Sequence, residues 1–350
     1  MLKLKFRSLL MEDADWITEF LNDPEAAKYW EPYPITEHEV KEWIRKKFEV
    51  SQEKTIVAEV EGEPAGSVSV DTETGRCRHI GELGIFVRRK FWGKGVGKAL
   101  MNEAIKLANQ LGCRKLVLDT TEGNERAIRL YKKFGFEIEA HQTDLVHFEG
   151  SWRKEYFMGL QLAPCEPEIN QKSIVQPLTP NVGAQKESNV DINVRQLMES
   201  DLDELHRLQN CPESTKSSNR VPPTTKEETK RWYEEIKLRE GKYCFGCFEN
   251  EMLLGYLRFR GGRPPYSNLW FEEILVDVNR RPVKTADALT VAVKGLRERY
   301  GYHKIFAQIP QTATTIKTAL EKHGFKNTGA IRRYYFIDGY YVDMTFYEYP

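Results

Sequence analysis

The sequence predicts two tandem copies of one mixed α/β fold, and three observations support this prediction. The chain has 350 residues, which is more than one typical domain and is the usual size of two. An apolar run at Leu83–Val87 is followed by a glycine-rich turn and an amphipathic pattern, which predicts a strand, a loop and a helix in that order. Segments of the first half recur in the second half at offsets between 187 and 191 residues, which indicates an internal repeat.

Composition and charge argue against several classes of protein. Lys+Arg and Asp+Glu both number 52, so there is no global electrostatic reason to bind nucleic acid or an anionic membrane. No window approaches the ~18–20 apolar residues of a membrane span, and acidic residues occur too early for a signal peptide. The six cysteines are scattered, and Cys244-x-x-Cys247 has no second Cys/His pair at metal-binding spacing. We expect a cytoplasmic protein without a metal, a nucleic-acid partner or a membrane partner.

The residues before the glycine-rich turn predict a strand, two helices and two further strands. Residues 1–8 alternate apolar and polar side chains, and a helix is expected from Glu12 onward. A second helix is expected over residues 36–48, because Thr36 as N-cap and Glu39 three residues later have capping-box spacing. The two strands are expected at Thr55–Val60 and Gly66–Val70.

The turn after Leu83–Val87 has the composition of an anion-binding site. Glycines let backbone N–H groups approach phosphate oxygens, and the following helix adds unpaired donors and the positive end of its dipole. The turn is not a Walker loop, because Ala99 stands where that motif needs Ser or Thr. It also differs from the G-x-G-x-x-G dinucleotide pattern, since its glycines alternate: Gly93, Gly95 and Gly97.

A second motif follows the next predicted strand, Lys115–Leu118. The run from Asn124 to Phe136 reads N-x-x-A-x-x-x-Y-x-x-x-G-F. Together with the glycine loop it resembles the two signature motifs of the GNAT superfamily of N-acetyltransferases, in the same order and spacing over residues 83–136. The sequence departs from the family at Trp92, where Gln or Arg is usual.

The resemblance implies the acyl-CoA N-acyltransferase fold, a twisted mixed sheet, mainly antiparallel and flanked by helices. It also implies that acetyl-CoA is the co-substrate, with its pyrophosphate on the glycine loop. Backbone N–H groups of the strand end are expected to polarise the thioester carbonyl. The expected coenzyme-binding residues are Ile85, Phe86, Val87, Trp92, Gly93, Lys94, Gly95, Val96, Gly97, Lys98, Asn124 and Tyr131.

Two residues are the candidate catalytic groups. By resemblance, Tyr131 is the general acid that donates a proton to the departing thiolate; the alternative is a half-buried aromatic residue on a helix face. Glu82, at the start of the strand, is the candidate general base, acting directly or through water, and a solvated strand-end glutamate is the alternative. Asn124 is expected to cap a helix and to lie near the coenzyme. No cysteine is positioned as a nucleophile, so we expect direct transfer in a ternary complex.

The acceptor of the acetyl group is not specified by these motifs. A small-molecule amine is favoured, and a protein N-terminus or a lysine is the alternative. A non-catalytic acyl-CoA-binding or scaffold protein is a third possibility, which the retained Tyr131 disfavours. The expected assembly is a monomer with pseudo-dimeric tandem domains, or a homodimer.

The repeat predicts the domain boundaries. Residues 1–162 are expected to form the catalytic domain, 163–190 a linker with four prolines, and 191–350 a degenerate copy. One of the matching pairs of segments is Thr36–Trp43 and Thr225–Trp232.

The second copy is predicted to have lost the chemistry. Its strand Ile274–Val278 is expected to correspond to Leu83–Val87. At the offset of this strand, the glycines of the loop become Lys284, Ala286 and Ala288. At the offset of the second motif, Asn124 becomes Ala313 and Tyr131 becomes Leu320. Side chains at those positions would hold a pyrophosphate away from the backbone.

Overall fold

The structure, a computed structural model, describes residues 3–29, 34–50, 54–148, 150–163, 192–218, 220–222, 224–238, 241–261 and 267–350. Residues 164–190 of the predicted linker lie outside these described residues. The chain divides into two compact units. The first comprises Met1–Thr74, Arg78–Ile138 and Phe148–Pro164, and the second comprises Gly75–Cys77, Glu139–His147 and Cys165–Pro350.

The first unit contains one sheet with helices on both faces. In chain order its elements are β1 (Leu4–Ser8), α1 (Ala14–Leu21), α2 (Pro24–Ala27), α3 (Glu37–Val50), β2 (Thr55–Val60), β3 (Glu63–Thr72), β4 (Ile80–Val87), α4 (Val96–Gln110), β5 (Lys115–Thr121), α5 (Glu125–Lys133), the start of β6 (Glu137–Phe148), and β7 (Ser151–Gln161). The strand order is β1-β2-β3-β4-β5-β7. These strands pair antiparallel except β4 and β5, which are parallel.

Two apolar clusters hold the helices on the two faces of this sheet. On one face α4 and α5 pack against the sheet, and on the other α1 and α3 do so. Burial of each large apolar side chain stabilises the fold by roughly 1.5–3 kcal/mol. The α4 face includes Val68, Leu83, Leu100, Leu116 and Tyr131, and the α3 face includes Trp16, Ile17, Ile44 and Phe86.

The predicted capping box at the start of α3 is confirmed. The Thr36 hydroxyl accepts a hydrogen bond from the Glu39 N–H at 3.3 Å, and the Glu39 carboxylate accepts one from the Thr36 N–H at 2.8 Å. The second unit has the same box between Thr225 and Glu228, with distances of 3.1 and 2.7 Å. Reciprocal bonds of this kind satisfy N–H groups that the first helical turn leaves without partners.

The second unit repeats this arrangement. Its elements are β8 (Ile192–Gln196), α6 (Leu202–Gln209), α7 (Pro212–Thr215), α8 (Lys226–Leu238), β9 (Lys242–Glu249), β10 (Met252–Gly261), β11 (Leu269–Val276), α9 (Pro282–Tyr300), β12 (Ile305–Pro310), α10 (Thr314–Lys322), β13 (Lys326–Ile337) and β14 (Tyr340–Tyr349). The strand order is β13-β14-β12-β11-β10-β9-β8, with only β11 and β12 parallel among these neighbours.

In the described part of the whole chain, no helix combines the length and apolarity needed to cross a membrane.

Matching contacts in the two units confirm that one fold occurs twice. Arg7 pairs with Asp13 at 2.7 Å in the first unit, and Arg195 pairs with Asp201 at 2.7 Å in the second. The strand register agrees as well: Gly66 lies opposite Val87, and Gly255 lies opposite Val276. The two residues of each pair are the same number of positions apart in the chain. The strands therefore align at one constant offset, and this offset determines which residues of the two units correspond.

Candidate active site

The first unit contains a wedge where β4 and β5 separate. The two strands pair only at Ile80–Lys115, Gly81–Leu116 and Glu82–Val117. Beyond these positions β4 remains paired with β3 as far as Val87, and β5 remains paired with β7 as far as Thr121. The sheet therefore opens toward the carboxyl ends of its two parallel strands, which is where open α/β sheets bind ligands.

Strand alternation sorts the side chains at the wedge onto two faces. Leu83 belongs to the α4 cluster and Phe86 belongs to the α3 cluster. Because successive side chains of a strand point to opposite faces, Glu82 lies on the α3 face with Phe86. On β5, Leu118 is on the α4 face, so Asp119 is on the α3 face. The residues that line the wedge are thus apolar on the α4 face and include carboxylates on the α3 face.

The sequence prediction that Glu82 begins the strand was wrong by two residues. β4 starts at Ile80, so Glu82 is its third residue. The strand starts earlier because Ile80 and Gly81 pair with β5. The sequence prediction relied on the apolar run that begins at Leu83, and Gly81 and Glu82 are not part of that run. Glu82 consequently lies at the point where the two strands part.

The glycine loop joins β4 to α4, and its three glycines have different roles. Gly93 and Gly95 have φ of +74° and +88°, with open space where a Cβ would stand. Gly95 is the N-cap of α4 in the left-handed conformation. Gly97 is helical, and a Cβ there would be 3.1 Å from the Leu130 side chain. Two glycines therefore shape the loop, and the third lets α4 approach α5.

The remaining predicted loop residues differ in exposure and in their contacts. Val96 is the buried first residue of α4, and Lys94 and Lys98 are exposed. Trp92 donates its indole N–H to the Val87 carbonyl at 2.6 Å. The first turn of α4 has N–H groups without partners in the helix, which are donors of the kind that anions bind.

Tyr131 lies on α5 and is almost fully buried, with 7% of its surface exposed. Burial raises the pKa of its phenol, and the nearby charges of Asp119 and Glu155 raise it further. The phenol therefore stays protonated across the neutral range. Asn124, as predicted, caps α5: its side-chain oxygen accepts from the Ala127 N–H at 3.4 Å.

Three carboxylates line the α3 face of the wedge. Desolvation raises the pKa of Glu82 although its side chain reaches solvent, and the negative charge of Asp119 adds to this effect. Burial also raises the pKa of Asp119, against the lowering effect of a hydrogen bond with Glu155. Glu155 accepts a hydrogen bond from the Thr121 hydroxyl at 2.9 Å.

Asp119 and Glu155 are site residues that sequence reasoning missed. Asp119 follows the buried run of β5 directly, and alternation alone could have placed it opposite Leu118. Glu155 gave no sequence signal, because it reaches the site only through the pairing of Thr121 with Glu155 between β5 and β7.

A chain segment and a cavity flank the wedge on the α1 side. The Tyr29 hydroxyl donates to the Gly123 carbonyl at 3.1 Å, and the Arg153 guanidinium donates to the Lys28 carbonyl at 3.1 Å. The residues after α2 are thereby tied to the ends of β5 and β7. A cavity of about 520 Å³ is lined by Glu19, Phe20, Asp23, Arg88, Arg89 and Lys90.

The corresponding connection in the second unit is shorter. Residues 277–281 join β11 to α9, whereas residues 88–95 join β4 to α4. The prediction that Lys284, Ala286 and Ala288 stand at the loop positions was wrong. The strand register sets the offset at 189 residues, so the positions of the three glycines are taken by Pro282, Lys284 and Ala286, all within α9. The strand also ends at Val276 rather than Val278, since the Asp277 carboxylate accepts from the Asn279 N–H at 3.1 Å and tightens the turn.

The α5 equivalent in the second unit matches the prediction. α10 has Ala313 as its N-cap residue, without a side-chain cap, and buried Leu320 in the position of Tyr131. Neither side chain can donate or accept a proton.

Comparison with known proteins agrees with this architecture. Residues 15–136 match the acetyltransferase (GNAT) family, and residues 194–346 match an acetyltransferase (GNAT) domain. Spermidine N(1)-acetyltransferase of Escherichia coli K12 is 30% identical over 157 residues, which are 43% of this chain and 81% of that protein. L-amino acid N-acetyltransferase AaaT of the same organism is 33% identical over 107 residues, 30% of this chain and 66% of that protein.

A solved structure of yncA from Salmonella typhimurium with its cofactor acetyl-CoA is 24% identical, with a TM-score of 0.42 over 47% of this chain and 96% of that one. A sheet that splays beside a glycine loop is the architecture of an acyl-CoA N-acyltransferase. The chain belongs to the GNAT family of acetyltransferases. The predicted family, fold class and enzyme class are thus confirmed.

Proposed function

We propose that the first unit binds acetyl-CoA and transfers the acetyl group directly to an amine. The observation that carries this proposal is the arrangement at the wedge: a protonated phenol at Tyr131 on the α4 face, and the carboxylates of Glu82 and Asp119 on the α3 face. Attack of an amine on a thioester needs a base for the amine and an acid for the leaving thiolate, each within reach of the proton that it transfers.

The loop suits the pyrophosphate of acetyl-CoA. No atom lies within 4 Å of a Cβ position at Gly93 or Gly95, so the backbone there is open to a phosphate, whereas a side chain would obstruct this approach. The first turn of α4 adds N–H groups that have no partner within the helix. The edge of β4 that β5 leaves, at Ile85, Phe86 and Val87, can hold the pantetheine arm and polarise the thioester carbonyl through backbone N–H groups. Asn124 fixes the start of the helix that carries Tyr131.

Each catalytic group then has one task. Glu82 accepts a proton from the amine, directly or through water, so that the nitrogen lone pair becomes available for attack. Tyr131 donates its proton to the departing sulfur, for which its raised pKa keeps it in the required form. Asp119 and Glu155, held together with Thr121 below the wedge, keep the acceptor side negative.

This negative face favours a cationic small-molecule amine as the acceptor. Asp71 and Glu73 also act on Glu82 electrostatically, and Lys47 is the opposing positive charge. An amine that carries a further positive charge gains from such a face. The relatives named for spermidine and for L-amino acids both act on small amines by their names. A protein N-terminus or a lysine is the alternative acceptor.

An acceptor screen tests this proposal. We expect acetyl-CoA to release free thiol in the presence of the full chain and spermidine, faster than with a neutral monoamine of similar length. Mass spectrometry of the amine then shows one added acetyl group. Release only with peptides would replace the small-molecule acceptor by a protein one, and no release with any amine would contradict transferase function.

Glu82→Gln tests the general base through the pH profile. Glu82 can act as a base only while its carboxylate is ionised. As the pH falls through its raised pKa the carboxylate becomes protonated, so wild-type kcat/KM should decline on the acid side. We expect the variant to lose this acid limb and to be slower by about 10²-fold at neutral pH. Glu73→Gln is the matched control: removal of a negative neighbour lowers the pKa of Glu82, so the acid limb should move to lower pH and remain. An unchanged acid limb in Glu82→Gln would remove Glu82 from the mechanism.

We further propose that residues 191–350 form a degenerate copy without a coenzyme site, and that residues 1–162 form the catalytic domain. The short turn at Asp277–Arg281 contains no glycine, and its Asp277 carboxylate is paired with Arg207 at 3.0 Å. The acceptor side is filled as well. Ser69 lies opposite Gly84 in the first unit, whereas Arg258 lies opposite Glu273 in the second. Buried Glu273 is held there by Arg220 at 2.9 Å.

A further inference from the structure

Trp92, the residue at which the loop departs from the family pattern, holds a neighbouring cation. Its indole N–H is already engaged with the Val87 carbonyl. The guanidinium carbon of Arg126 lies 3.9 Å from the centre of the Trp92 ring. A cation over an aromatic face within about 6 Å is attracted by the ring quadrupole, and tryptophan is the strongest partner. Trp92 therefore restrains Arg126.

The packing of α5 places Arg126 beside the glycine loop. Leu130 lies against Gly97, in the first turn of α4. Arg126 is four residues before Leu130, so the two share one face of α5. Arg126 is exposed, and its guanidinium lies over Trp92, the residue that precedes Gly93, so it is accessible to an anion at the loop.

We propose that Arg126, stacked on Trp92, binds a phosphate group of acyl-CoA at the glycine loop. Stacking uses the face of the guanidinium and leaves its in-plane N–H donors for phosphate oxygens, a geometry that arginine offers and lysine does not. Trp92 would thus replace a direct polar donor by a platform that positions one. The proposal rests on coenzyme binding by the first unit.

Arg126→Ala tests the proposal by calorimetric titration of the full chain with CoA. Loss of one charge-assisted hydrogen bond weakens affinity by about tenfold, and we expect an effect of that size. Arg129→Ala is the matched control, since Arg129 is also exposed on α5 and pairs with Glu125 at 3.9 Å; its affinity should stay at the wild-type value. Titration with 3′-dephospho-CoA identifies which phosphate Arg126 binds. If Arg126→Ala reduces affinity less for 3′-dephospho-CoA than for CoA, Arg126 binds the 3′-phosphate. If the two reductions are equal, Arg126 binds the pyrophosphate.

Substitutions of Trp92 test the positioning role. Trp92→Phe keeps a ring and should retain most of the affinity, whereas Trp92→Leu should weaken CoA binding about as much as Arg126→Ala. The double variant of Trp92→Leu and Arg126→Ala should be no weaker than either single one, because both remove the same contact. Wild-type affinity in Arg126→Ala, or an equal loss in Arg129→Ala, would overturn the proposal. Failure of the wild-type chain to bind CoA would instead contradict the proposed function itself.

Discussion

Replacement of Tyr131 by phenylalanine is expected to slow acetyl transfer by about 10²–10⁴-fold, the range for loss of a general acid. Affinity for acetyl-CoA should stay near the wild-type value. Phenylalanine keeps the ring that packs in the α4 cluster and removes only the hydroxyl, so the fold and the loop are retained. The measurement is single-turnover thiol release at saturating acetyl-CoA, with calorimetric affinity measured in parallel.

The pH dependence gives a second signature of Tyr131. Because the folded protein raises the pKa of this phenol, the acid form persists to higher pH than for a free tyrosine. Wild-type kcat should therefore show no decrease on the alkaline side up to at least pH 9. Tyr156→Phe is the matched control and should turn over at the wild-type rate. Tyr156 belongs to the same unit, and in the described residues its hydroxyl donates to the Glu122 carboxylate at 3.5 Å. Full turnover in Tyr131→Phe at every pH would exclude the phenol as the acid.

Gly95→Val is expected to abolish most of the stabilisation that acetyl-CoA confers. Gly95 has φ of +88° and nothing within 4 Å of a Cβ position, so the substitution acts through the backbone rather than through a clash. A β-branched residue in the left-handed region costs roughly 1–3 kcal/mol, and the loop is expected to rearrange. In the wild type, acetyl-CoA at a hundredfold excess over Kd should add about 2.7 kcal/mol, which appears as a rise in Tm.

Gly112→Val is the control for this backbone effect. Gly112 follows α4 at its other end, with φ of +74° and equally open surroundings. The two variants should lose similar intrinsic stability, yet Gly112→Val should keep the full rise in Tm with acetyl-CoA. A full rise in Gly95→Val would mean that the loop does not hold the coenzyme.

Features encoded by neighbouring residues could be predicted from the sequence. The capping box of Thr36 and Glu39 and the cap of α5 by Asn124 each depend on side chains within three residues of one another. The strand, glycine loop and helix at residues 83–100 follow from apolar periodicity and glycine spacing. Recurrence of such local signals in the second half predicted the second copy of the fold.

Features that depend on strand register could not be predicted. Glu155 joins the site because Thr121 pairs with it across two strands, and no local pattern encodes that pairing. The short turn at Asp277–Arg281 was also missed. The offset between the copies is the same before and after this turn, so the sequence alignment does not show that α9 begins earlier than α4 does. The stack of Arg126 on Trp92 joins a loop to a helix 34 residues further on, and only the fold brings them together.

Calorimetric titration of the full chain with acetyl-CoA tests most directly whether the first unit holds the single coenzyme site. We predict one bound acetyl-CoA per chain in the wild type and none in Gly95→Val, because the loop of the first unit has a glycine cradle and the turn of the second does not. Two equivalent sites per chain, or one site that survives in Gly95→Val, would contradict this assignment.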